Sequence, residues 1–164
     1  MKQKHNIIFL DHDGVLCLKN NCGSSYLTKK DYDDFDSGCV KILNQIIEKT
    51  DAEIVVSSDW RLIDQDLLAT QYHYKEMGIT KEPIGFTPDL SGKSVTQNKA
   101  KLRAEEILQY IQKNEDEIET WVAIDDLELS LPKNNFVKTN TELGLNEPHI
   151  MQEVIKKINS KLLL

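Results

Sequence analysis

Asp11 and Asp13 stand two positions apart at the end of an apolar run, IIFL, with Gly14 directly behind them. Asp125 and Asp126 end a second such run, WVAI, and Ser57 and Ser58 end a third, EIVV. Carboxylates brought together at the mouths of two buried strands repel one another, and a divalent cation relieves that repulsion. Oxygen-only ligands select a hard ion, and Mg²⁺ is the usual one where phosphate is handled. Each feature alone has a plainer reading, because Asp readily closes its own backbone turns and a strand-end serine is more often structural than catalytic. Three strand exits carrying small polar or acidic groups on one edge of a sheet are harder to explain that way.

The surrounding residues are less specific. Lys93, Lys99, Lys101 and Arg103 form one local basic group, which also fits a solvated helix start. The run Asp31, Asp33, Asp34 and Asp36 reverses the sign and reads as a polar loop ending in a helix cap. His12 sits between the first two acids; on a strand exit its side chain points away from that of Asp11, toward packing or solvent. Trp60 reads as core before it reads as a substrate platform, and Arg61 as either a substrate contact or a surface charge. Cys17, Cys22 and Cys39 fit no disulfide framework and include no CxxC pair, so they read as reduced thiols.

These residues need elements to hold them. Asn6–Leu10, Glu53–Ser57, Trp121–Ile124 and Asn135–Thr139 read as short buried strands, with a shorter one at Ile84–Thr87. Between them lie helical patterns. Cys39, Ile42, Leu43, Ile46 and Ile47 recur at helical spacing behind a cap at Asp36 or Ser37. One helix is expected over Arg61–Met77, stopped by Gly78. Another over Lys99–Lys113 buries Ala104, Ile107, Leu108 and Ile111. The last starts near Asn146–Pro148 and buries Ile150 or Met151, Val154, Ile155 and Ile158. Alternation of strand and helix predicts an α/β fold, a Rossmann-like three-layer sandwich with a central, mostly parallel five-stranded sheet. In such sheets ligands bind beyond the carboxyl ends of the strands, where the three polar exits lie.

The chain has 164 residues, enough for a single domain over 1–164. Its net charge of −7 gives nucleic acid no general attraction. No stretch approaches the roughly 18 apolar residues of a membrane span, and the opening MKQKHNIIFLDHDG is too short in its apolar part for a signal peptide. The expectation is a cytoplasmic or nucleoplasmic protein without membrane partners, its oligomeric state open.

FLDHDGVL resembles the first signature of the haloacid-dehalogenase (HAD) superfamily, an apolar strand followed by DxDGxL. IVVSS resembles its second signature and WVAIDD its fourth, and the resemblance in order and pattern spans nearly the whole chain. SSDWR, GFTPDL, RAEEI and GLNEPH are similar to motifs of a small subgroup that includes domains attached to RNA-repair proteins. The resemblance implies a HAD-like phosphatase, a phosphomonoester hydrolase that works through an aspartyl-phosphate. Asp11 would be the nucleophile; Asp13 would protonate the leaving oxygen and then deprotonate the attacking water. Asp11, the backbone carbonyl of Asp13 and Asp125 would hold Mg²⁺, with Asp126 joining through water or else capping the next turn. Ser57 or Ser58 would donate to the phosphoryl oxygens. The family places a cation, usually a lysine, before the fourth strand. Here the matching place holds Arg103, with Lys101 near it, and an arginine would offer a planar fork.

Family members often carry a cap domain over the site. Gly14 to Asp36 leaves room only for a flap, and Thr87 to Lys99 only for a short loop, so the resemblance implies a minimal cap and an open site. Open sites in the family often take macromolecules, which makes a polynucleotide end one candidate substrate beside a phosphoprotein or a small phosphorylated molecule or nucleotide. Two other classes are a binding module that has lost turnover and a phospho-accepting receiver domain. A receiver needs its acid pair after the first strand and a lysine after the fifth; here the pair follows the fourth and Thr139 closes the fifth.

Overall fold

The structure, a computed structural model, describes residues 2–18 and 35–160. The expected flap between Gly14 and Asp36, and with it Cys22 and the acidic run at 31–34, falls mostly outside these residues. Strands β1 (His5–Leu10), β2 (Glu53–Val56), β3 (Gly85–Phe86), β4 (Ile118–Asp125) and β5 (Phe136–Lys138) form one five-stranded sheet in the order β3-β2-β1-β4-β5. Every pairing is parallel. β1 lies at the centre, and Ile7 to Leu10 are buried on both faces, which is why this strand reads as an unbroken apolar run.

The two faces divide by parity. Ile8, Leu10, Ile54, Val56, Val122 and Ile124 pack under α1 (Ser37–Thr50), α3 (Leu67–Glu76) and α5 (Ile150–Asn159). Ile7, Phe9, Val55 and Ala123 pack under α4 (Lys99–Lys113). Helix α1 starts where Asp36 accepts the Cys39 N–H at 2.9 Å, a side-chain cap. It buries Cys39, Val40, Leu43, Ile46 and Ile47 on one stripe. Truncating a residue such as Leu43 would cost about 2–5 kcal/mol through lost burial and the cavity left behind.

Three expectations need correction. The helix expected over Arg61–Met77 is two helices, α2 (Trp60–Asp64) and α3. Gln65 turns left-handed at φ 47°, and Asp66 then caps α3 through the Leu68 N–H, so the chain breaks where its composition still reads as helix. In α4, Leu108 is exposed, while Arg103 and Glu106 are buried beside Ala104 and Ile107. Polar groups take the inner stripe because each finds a charged partner there. Finally, Cys17 is disulfide-bonded, whereas Cys39 is free and buried. Bridge formation depends on spatial approach that spacing alone does not reveal. No described helix is long and apolar enough to cross a membrane.

Candidate active site

Strand register builds the site. Leu10 pairs with Val56 on one side and with Ile124 on the other, so the next residues, Asp11, Ser57 and Asp125, come abreast across three neighbouring strands. The pairing of Val56 with Phe86 adds Thr87 to the same row. The chain order of the strands reverses between β1 and β4, which makes this edge the switch-point crevice of an open α/β sheet. By parity, the row faces α4, the helix that carries Arg103.

Asp11 and Asp125 are buried and Asp126 is half-buried; one carboxylate oxygen from each lies within 4.8 Å of the others. Arg103, only 4% exposed in its side chain, enters this cluster. Its Nη1 lies 3.2 Å from Asp11 Oδ2 and donates to Asp125 Oδ2 at 2.9 Å. Its Nη2 donates to Asp59 Oδ1 at 3.0 Å, and Asp59 Oδ2 holds Lys99 at 2.6 Å. Burial, joined by the charges of Asp125, Asp126 and Asp13, pushes the Asp11 carboxyl well above its usual range, against the pull of Arg103. Asp125 is raised by burial as well, with Arg103 opposing. Burial works against the charge on Arg103, but the surrounding carboxylates outweigh it and raise its pKa. One guanidinium cannot offset so many buried acids, and the excess negative charge suits a hard cation. The three carboxylates supply the oxygen donors that a hard ion such as Mg²⁺ takes.

Asp13 is exposed at the rim, and its Oδ1 accepts the Trp60 indole N–H at 3.3 Å. Partial desolvation of its carboxyl raises its pKa, and the bond to Trp60 opposes that rise. Its side chain lies outside the carboxylate cluster. His12 faces the other way, buried among Phe35, Trp60 and Tyr74, with Nε2 2.6 Å from the Tyr74 hydroxyl. Desolvation lowers its pKa to about 3, so it is a neutral packing residue. Gly14 turns at φ +76°, and a Cβ there would lie 2.4 Å from Asp126 Oδ2. Only glycine meets both demands. The Gly14 carbonyl accepts the Thr139 hydroxyl at 2.7 Å, and the Val15 carbonyl accepts the Leu145 N–H at 3.0 Å, which seats the GLNEPH turn against the acidic loop.

The two serines separate. Ser58 Oγ accepts the Trp60 N–H at 3.3 Å and opens the turn into α2. Ser57 Oγ, buried in the row beside Asp11, has no hydrogen-bond partner among the described residues. Lys101 is exposed on α4, its backbone N–H bound to the Asn98 cap, while Arg103 lies inside. Arg61 is neither a surface charge nor at the carboxylate cluster: it is buried and paired with Glu106 at 2.7 Å. Asp59 was not among the sequence candidates, although it sits in SSDWR immediately after the serine exit; position was the only signal that could have marked it.

The model of a family described as "HAD domain in Swiss Army Knife RNA repair proteins" matches residues 7–150. No curated protein and no solved structure gives a match.

Proposed function

Because the chain belongs to the family of HAD domains found in Swiss Army Knife RNA repair proteins, we propose that this hydrolase is a Mg²⁺-dependent phosphatase that removes a terminal phosphate from a polynucleotide end. The carrying observation is the Asp11–Asp125–Asp126 cluster with Arg103 set between Asp11 and Asp125. Asp11, Asp125 and Asp126, with the backbone carbonyl of Asp13, would hold the ion. The bound ion would neutralise phosphate charge and lower the repulsion that Asp11 meets.

In the first half-reaction an Asp11 carboxylate oxygen forms a bond to phosphorus as the bond to the leaving oxygen breaks. Asp13 gives its proton to that oxygen, and the upward direction of its pKa shift is the one a general acid needs. In the second half-reaction Asp13 takes a proton from water, the water oxygen bonds to phosphorus, and the acyl-phosphate bond to Asp11 breaks. Inorganic phosphate and the free carboxylate result. Ser57 Oγ and the Arg103 guanidinium donate to the phosphoryl oxygens, where charge is spread in the transition state. Ser58 serves the turn, and Lys101 stays outside.

The polynucleotide end is supported by the family's setting and by the short stretch at residues 87–98, which holds loop and no cap domain between β3 and α4. The strand order also speaks against a receiver, since receiver sheets run 2-1-3-4-5 whereas this sheet runs β3-β2-β1-β4-β5. Hydrolysis of an aryl phosphate with and without Mg²⁺ tests the chemistry, and full activity in excess chelator refutes it. RNA ending in a 3′- or 5′-phosphate, compared with nucleoside monophosphates, tests the substrate; higher kcat/KM on the mononucleotides would overturn the polynucleotide assignment.

A further inference from the structure

SSDWR, GFTPDL and RAEEI lie far apart in the chain and meet at one side chain, Arg61. Its guanidinium is 1% exposed. Nη1 donates to the carbonyls of Ser57 and Ser58 at 3.2 and 3.0 Å, and Nε donates to the carbonyl of Thr87 at 3.0 Å. Nη2 donates to the carbonyl of Pro88 at 3.1 Å and to Glu106 Oε2 at 2.7 Å. These contacts match the five N–H donors that an arginine offers. Glu106 is buried too, and its second oxygen accepts the Leu90 N–H at 3.0 Å. One ion pair thus joins the exit of β2, the exit of β3 and the inner face of α4.

We propose that the Arg61–Glu106 pair is the positioning element of this site, fixing Ser57 and Arg103 for the phosphoryl group without touching it. The inference rests on the phosphatase reading. Ser57 is held from both sides, its N–H on the Leu10 carbonyl at 3.0 Å and its own carbonyl on Arg61, so little but its χ1 is left to vary. Arg103 lies three residues before Glu106 in α4, on the same buried stripe. The tether at Glu106 therefore sets how high along the sheet edge Arg103 sits, since each helical residue advances about 1.5 Å. A buried ion pair commonly offers no stability over apolar residues of the same volume. What it adds here is direction, because a planar fork fixes four carbonyls and a carboxylate at once.

The test compares the wild type with Arg61→Lys and with the double variant Arg61→Met/Glu106→Met, each in Mg²⁺ with an aryl phosphate, at a temperature where all are folded. Melting curves report folding, and kcat and KM are measured separately. The double variant should fold cooperatively yet lose about 100-fold in kcat, the cost of misplacing reacting groups by about 1 Å. Its KM should stay within about threefold, because placement in the transition state is what is lost. Arg61→Lys keeps the charge and loses the fork, and should fall about tenfold. A folded variant with kcat within about twofold of wild type would reduce the pair to a structural contact. If the double variant does not fold, Arg61→Lys decides. If the wild type hydrolyses nothing, the phosphatase reading falls, and calorimetry with inorganic phosphate and Mg²⁺ takes over. Binding weakened about tenfold in Arg61→Lys would uphold positioning. Unchanged binding, or none in the wild type, would overturn it.

Discussion

Arg103 is the residue whose loss the structure prices most fully. Its Nη1 serves Asp11 and Asp125 and its Nη2 serves Asp59, all from a side chain 4% exposed. Removing one preorganised donor from a reacting phosphoryl group costs about 3 kcal/mol, or roughly 150-fold in kcat. Arg103→Ala should show that loss under saturating Mg²⁺ and aryl phosphate. It should also weaken the fold, since it strips the counter-charge from two buried carboxylates; a broken buried pair costs about 3–5 kcal/mol. The rate must therefore be measured well below the variant's melting temperature. Arg103→Lys places one nitrogen where two worked. It can meet the Asp11–Asp125 side or Asp59, and one charged hydrogen bond of about 1.5–3 kcal/mol stays lost. That leaves a deficit of roughly 10- to 150-fold. Lys101→Ala, on the exposed face, should stay within about twofold. Folded Arg103→Ala with more than about a third of wild-type kcat, or a large loss at Lys101, would refute the reasoning.

Asp11→Asn should abolish turnover and acid-stable phosphoenzyme, while Asp13→Asn should slow turnover by about 10²- to 10⁴-fold; acid quench with radiolabelled substrate reads both. Gly14→Ala forces a side chain into a left-handed turn, at a cost of about 1–2 kcal/mol, and pushes its Cβ onto Asp126. Urea unfolding should show the first effect and a higher Mg²⁺ requirement the second. His12 has a folded pKa lowered to about 3 and an unfolded value of about 6.5. Only the unfolded chain gains a proton between those values, so the stability tied to neutral His12 is complete above pH 6.5 and is lost as pH falls toward 3. Between pH 7 and pH 5 the wild type should lose about 2 kcal/mol more than His12→Asn; equal losses in urea titrations would refute the burial argument.

The inner strands β1, β2 and β4 were legible because each carries a short apolar run ending at small or acidic residues, and a parallel sheet covered on both faces demands that pattern. What stayed hidden depended on partners distant in sequence. Glu106 and Arg61 are 45 residues apart, so a period-based reading of α4 put Leu108 inside and left the charged residue out. Arg61 was read from its neighbours alone and left between substrate contact and surface charge; five acceptors from three segments make it neither. The break at Gln65–Asp66 needed one left-handed residue and one cap, both common within a polar stretch of helix-compatible composition. Arg103 was easier to place, since it adjoins Ala104 and precedes Ile107 by one turn, on the stripe that must face the sheet.

Parity accounts for the division of labour among neighbours in the acidic loop. Residues that follow Leu10, Val56 and Ile124 inherit the face of Ile7, Phe9, Val55 and Ala123, the side from which α4 delivers Arg103. The next residue in each segment starts toward the opposite face. His12 stays there and is enclosed by aromatic rings, so it acts on packing although Asp11 is its neighbour. Ser58 goes into the turn that opens α2. Asp126 does not follow that pattern: its carboxylate lies with those of Asp11 and Asp125. The cleft left by Gly14 gives that carboxylate its place, since a Cβ at Gly14 would fall on it. The third acid of the cluster thus depends on one missing side chain.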